Sequence, residues 1–182
     1  ILMRCRIKTT GLSALADGLQ TLLDLLKLWP DELHPQLRDE EEFIPQLRAN
    51  AFAELDDSPG LLADIRQHLL PKTAGIQISV GEYEKARTQP KGTAEISAET
   101  ADRLSEHWQA AGSPEILALR QAGSCLEQLL HQLQINLGSL APDISRLAGL
   151  LSLFIIGPLT EPPETSDQEP LTAPSMQEET VI

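Results

Sequence analysis

Leu12, Leu15, Leu19, Leu22, Leu26 and Trp29 recur at steps of three and four. That is the period of one face of an α-helix, and Leu23, Leu25 and Leu28 widen the stripe beyond a coiled-coil seam. The pattern predicts a helix with a broad buried face, stopped by Pro30. The residues before it read differently. Ile1, Met3, Cys5 and Ile7 alternate with Arg4, Arg6 and Lys8, which predicts a half-buried strand ended by Gly11. Cys5 would then point inward, and the cations would form a solvated stripe paired across strands with Glu82 or Glu95.

Residues 30–42 carry no period and are acidic, with Pro35 in the middle. Pro45 suits the first turn of a helix lined by Leu47, Ala51, Phe52 and Leu55. Ser58 and Pro59 read as the cap and first position of the next helix, whose inner face is Leu61, Leu62, Ile65 and Leu69. Alternation returns at Ile76, Ile78 and Val80 and again near Thr93–Ile96, predicting two short strands joined by a loop over 82–92. Ser97 caps a helix to Ala111 with Ala101, Leu104, Trp108 and Ala111 inward. Ser113-Pro114-Glu115 opens the longest helix, to about Leu137, with a stripe weakened at Gly123-Ser124. A last helix over 142–156 buries Ile144, Leu147, Leu151, Phe154 and Ile155, leaving Leu150 and Leu153 partly exposed.

The expected fold is therefore α+β and predominantly helical. A small sheet of two or three strands is packed by about six helices. Residues 1–157 form a single globular domain. Residues 158–182 hold five prolines, six acids and no Lys or Arg, which predicts a disordered Pro-rich acidic tail.

Composition narrows the function classes. The chain of 182 residues carries 14 basic and 27 acidic side chains, a net charge of −13, so direct nucleic-acid binding is not expected. Thirty-two leucines and only six aromatic residues point to a leucine-rich helical core. The two cysteines, Cys5 and Cys125, match no metal spacing and no disulfide framework, which favours a reducing, cytoplasmic setting. The longest charge-free runs reach roughly 15 residues, short of the 20 or so that span a bilayer, so membrane contact is not expected.

No phosphate-cradling loop, nucleophile elbow or zinc cluster is present in the sequence, and no cofactor, metal or catalytic residue is assigned. Asp64–His68 and Glu127–His131 stand four apart on predicted helices, the spacing of surface side-chain pairs. The densest feature is acidic: Asp39, Glu40, Glu41 and Glu42, with Asp56 and Asp57 near in sequence. These six are the candidate partner-binding residues, because an acidic surface steers basic partners. The expected function is a non-catalytic protein-binding module with a basic protein partner, in an inhibitor, adaptor or immunity-type role. Two alternatives stand beside it. One is an enzyme whose site assembles only in three dimensions, from Tyr83, Arg103, Glu106 and His107. The other is an oligomeric or membrane-associated structural component using the leucine-rich C-terminal helices.

Overall fold

Helices dominate the computed structural model, which describes residues 1–39, 42–89 and 94–155. They are α1 (Leu2–Thr10), α2 (Ser13–Leu28), α3 (Gln46–Ala53), α4 (Leu61–Arg66), α5 (Val80–Thr88), α6 (Ala98–Ala110), α7 (Pro114–Leu137) and α8 (Ser145–Ile155). Single 3₁₀ turns at Glu54–Asp56 and Gly138–Leu140 precede or follow them. Two-residue strands β1 (Arg38–Asp39) and β2 (Glu42–Phe43) pair antiparallel, Arg38 opposite Phe43. The predominantly helical reading holds. The sheet of two or three strands is not confirmed, and the one short ladder among the described residues lies where the pattern read as irregular. The tail expected over 158–182 lies outside the described residues.

Three segments expected as strands fold otherwise. Residues 2–10 are helical because Arg4 and Lys8, one turn apart, both reach Asp64 of α4, at 2.6 and 3.0 Å. Alternation cannot tell that arrangement from a strand over so short a run. Only Ile7 of this helix is buried, Met3 packs partly, and Cys5 is exposed rather than inward. Arg6 pairs with Asp17, so the cations face α2 and α4 and not Glu82 or Glu95.

Residues 76–80 make only isolated bridges, Thr73 with Ile76 and Leu69 with Ser79. Helix α5 begins at Val80 through a capping box. Ser79 Oγ accepts the Glu82 N–H, and Glu82 accepts the Ser79 N–H at 2.6 Å, which holds the Glu82 carboxyl below its ordinary pKa. The expected loop over 82–92 is thus helical to Thr88. Ala94 and Ile96 pack against the core without forming a strand.

The core is one leucine-rich cluster. Helix α2 contributes Leu15, Leu19, Leu23 and Leu26, each at most 1% exposed, and packs along α7. Burying each such side chain stabilises the fold by about 1.5–3 kcal/mol. Leu22 is only partly buried, and Trp29 emerges at 49% exposure, so the stripe fades where α2 ends. Helix α7 runs unbroken through Gly123. The glycine lets Ile155 of α8 approach, since a β-carbon there would stand 2.5 Å from Ile155 Cδ1. Leu147, Leu150, Leu151 and Phe154 of α8 are buried, which corrects the expectation for Leu150. Ile155 is exposed instead. Tyr83, Trp108 and Phe154 join α5, α6 and α8, with Tyr83 to Trp108 centroids 5.6 Å apart and Tyr83 to Phe154 5.0 Å.

Candidate functional site

The segment between α2 and α3 is short of apolar residues and rich in proline, so it needs a polar anchor to hold a shape. Arg48 of α3 supplies it. The side chain is fully buried, with its Nε donating to the Pro35 carbonyl at 2.8 Å and its Nη1 to the Pro30 carbonyl at 2.5 Å. Its Nη2 donates to the Leu33 carbonyl. Desolvation lowers the pKa of this guanidinium, opposed by attraction to Asp31. Burying a cation among neutral carbonyls is costly unless its donors are filled. Here one side chain satisfies three carbonyls of a turn that includes the cis His34–Pro35 bond. Of the expected inner face, Phe52 and Leu55 are buried, whereas Leu47 and Ala51 are exposed and Arg48 and Ala49 take their place.

The anchored loop leads into β1 and β2. Leu37 accepts the Ile44 N–H at 2.8 Å, extending the pairing beyond the two-residue strands. A concavity of about 520 Å³ lies here, lined by Asp31, Gln36, Leu37, Arg38 and Phe43. Phe43 is 52% exposed, with the Arg38 guanidinium 5.8 Å from its ring centroid. A second groove of about 400 Å³ runs between α1 and α2 to the 3₁₀ turn at Glu54–Asp56. Its floor is apolar, with Met3, Ala14, Gly18, Leu22, Leu55 and Leu61, and its rim is charged, with Arg4, Arg6, Glu54 and Asp57.

The six acidic candidates do not act alike. Asp39 belongs to β1, and Glu42 of β2 is exposed. Glu40 and Glu41 lie outside the described residues. Asp56 is 5% exposed and turned inward: its Oδ1 accepts the Leu147 N–H at 2.7 Å and its Oδ2 the Arg146 Nε–H at 2.9 Å. It caps the start of α8 from a distant part of the chain. Asp57 is half-buried at the groove rim, and its carbonyl accepts the Gly60 and Leu62 N–H groups. Gly60, not Ser58, occupies the cap position of α4.

The other candidates are dispersed. Tyr83 is buried, whereas Arg103, Glu106 and His107 are exposed on α6. Asp64 is taken up by Arg4 and Lys8, and its carboxyl is held below the ordinary range chiefly by the Arg4 hydrogen bond. Glu127 and His131 are exposed on α7. Among the described residues no three His, Cys, Asp or Glu side chains are placed to hold a metal ion. Nor is any described helix long and apolar enough to cross a membrane.

Both concavities and the Arg48 anchor fall almost wholly within the first third of the chain. Residues 1–57 match the family model described as ImpA, N-terminal, type VI secretion system. No curated protein and no solved structure matches the chain. The matched segment contains α1, α2, the anchored loop, β1, β2, α3 and the turn that ends at Asp56. Arg48 and the half-exposed Trp29 are features the sequence pattern missed. The available signal was three prolines at 30, 35 and 45 around a loop with no apolar period, followed by one arginine on a short helix.

Proposed function

We propose that this chain is a non-catalytic, protein-binding component of a type VI secretion assembly. The match of residues 1–57 to the ImpA N-terminal model carries this reading. The dispersal of Tyr83, Arg103, Glu106 and His107 supports a binding role over an enzyme built from those residues. A cytoplasmic location belongs to the same proposal, supported by two cysteines that remain unpaired, Cys5 exposed and Cys125 buried.

The finer part of the proposal is a basic partner protein. The net charge of −13 supports it, as do the exposed Glu42 and the rim residues Glu54 and Asp57. Asp56 is excluded from the contact because its oxygens are engaged inside the fold.

The test is genetic. The coding sequence is deleted in the source bacterium, and release of the proteins its type VI system secretes is measured, with the wild-type gene returned as the control. Secretion should fall and recover on complementation. Undiminished secretion after deletion would overturn the proposal.

A further inference from the structure

We propose that the groove between α1 and the 3₁₀ turn at Glu54–Asp56 docks a partner helix whose apolar stripe has a basic edge on one side and an acidic edge on the other. The proposal rests on the protein-binding reading above and deepens it. The groove of about 400 Å³ falls in the size range of sites that enclose a ligand. Its floor is apolar yet incompletely covered: Met3 and Leu22 are only partly buried, and Leu2, 75% exposed, lines the same concavity. Gly18 leaves room for the Met3 thioether, since a β-carbon there would lie 2.6 Å from Met3 Cε. A methionine in this place can adapt to what enters. Such a floor suits the aliphatic side chains that an amphipathic helix presents on successive turns.

The two walls carry opposite charge. Helix α1, packed on α2 and α4, holds Arg4, Arg6 and Lys8 and no acid. Among the described residues these three bases meet two carboxylates, Asp64 and Asp17, which leaves the α1 wall one positive charge in excess. The turn, packed on α3, α4 and α8, continues into Asp57; residues 54–57 hold Glu54, Asp56 and Asp57 and no base. Among the described ion pairs only Arg146 answers these three acids, through Asp56, which leaves that wall two negative charges in excess. Arg4, Arg6, Glu54 and Asp57 all line the groove. Arg6 meets Asp17 only at 3.6 Å, with both side chains about half in solvent, and a pair so open contributes little. Glu54 is exposed on the other wall.

This segregation selects the occupant. A helix with bases on both edges is repelled at α1, and one with acids on both edges is repelled at the turn. Residues 156–182 of this chain hold six acids and no Lys or Arg, so they match only one wall. A second copy of the chain brings a like charge of −13. A helix of mixed edges satisfies both walls. Its bases meet Glu54 and Asp57, as a basic partner requires, and its acids meet Arg4 and Arg6.

Three fluorescein-labelled synthetic helices probe the full chain by anisotropy at physiological ionic strength, where a Debye length of about 8 Å damps the general field. They share one leucine stripe. The first has Lys on one edge and Glu on the other, the second Lys on both, the third Glu on both. The mixed helix should bind about 5-fold tighter than either of the others. Arg6→Glu makes both walls acidic and should pass the lead to the Lys helix. Glu54→Lys removes the acidic excess of the turn and should erase the lead of the mixed helix over the Glu helix. Glu127→Lys, outside the groove, changes the net charge as much as either and should leave the order unchanged. All three sites are exposed, so the variants should melt as wild type. If Arg6→Glu melts early, Arg6→Gln should still abolish the lead of the mixed helix over the Lys helix. Tightest binding of the Lys helix to wild type would overturn the assignment in favour of the general charge, as would a change of order with Glu127→Lys. Displacement of the mixed helix by a synthetic peptide of residues 156–182 would overturn it in favour of the chain's own C-terminal segment. A signal that falls as protein concentration rises would overturn it in favour of a second copy. Loss of secretion on gene deletion with no difference among the three helices removes this groove and leaves the secretion role standing.

Discussion

Replacing Asp56 by alanine should destabilise the fold far more than an acidic residue at the end of a short helix would suggest. Its carboxylate accepts the Leu147 N–H, in the first turn of α8, where backbone donors lack intrahelical partners. Asp143 meets a different donor, the Ser145 N–H, at 3.0 Å. Removing Asp56 therefore leaves the Leu147 N–H buried without an acceptor. The lost hydrogen bond to a charged group is worth about 1.5–3 kcal/mol. The lost carboxylate at a helix N-terminus adds about 0.3–1 kcal/mol. The expected cost is about 2–4 kcal/mol, and at about 2–4 °C per kcal/mol for a chain of this size the melting temperature should fall by about 4–16 °C.

Three companion variants separate the causes. Asp56→Asn keeps the volume and one acceptor and should cost about half as much. Arg146→Ala removes the partner that is 62% exposed and should cost about 0–1 kcal/mol. Glu54→Ala, exposed on the same turn, should lie within about 0.5 kcal/mol of wild type. Urea and thermal melts followed by circular dichroism provide the numbers. A near-neutral Asp56→Ala would refute the capping argument. An Arg146→Ala cost equal to that of Asp56→Ala would move the credit from the cap to the ion pair.

Asp64→Asn should lower the melting temperature at pH 5–7, and the gap from wild type should close as the pH falls below about 4. The folded carboxyl is held below its ordinary 3.8, so its contribution is complete above that value and is lost as pH falls through the lower folded one. A gap independent of pH would contradict the Arg4–Asp64 assignment. Arg48→Met should cost about 2–4 kcal/mol by leaving three carbonyls without donors, and amides 31–35 should exchange faster by hydrogen–deuterium mass spectrometry. Leu23→Ala, fully buried, should cost about 2–5 kcal/mol, and Leu22→Ala, at the groove, clearly less. Equal losses would show that the groove is closed in solution.

Long periodic segments were readable because their apolar faces face one another. The centre of the α2 stripe, Leu15, Leu19, Leu23 and Leu26, is buried as expected, as are Leu104 and Trp108 of α6, whereas Leu22 and Leu25 are only partly buried and Leu28, Trp29 and Ala111 are exposed. Short segments were not. Over residues 1–8 a period of two and a period of 3.6 fit the same letters, and a contact 60 residues away, Arg4 with Asp64, decides between them. At Ser79 the local signal was available: Ser-x-x-Glu is a capping box, and the alternation of Ile76, Ile78 and Val80 masked it. The acidic candidates illustrate the larger difficulty. Six carboxylates in two runs, 39–42 and 56–57, read as one surface, yet Asp56 is consumed by a helix 90 residues later. A linear pattern records charge but not whether an inward partner has claimed it.

That last contact bears on where function can reside. The segment that matches the ImpA N-terminal model is not held by its own residues alone. Arg4 and Lys8 bind Asp64, Asp56 caps α8, and α2 buries its leucines against α7. The matched segment ends at Asp57, one residue after the carboxylate that fixes α8. Cutting there would expose the Leu19, Leu23 and Leu26 face of α2 and leave Asp56 without its backbone donor. The loop anchored by Arg48 is thus presented by a core that extends to residue 155. A binding defect measured in a fragment of residues 1–57 would therefore report lost folding and not a lost surface.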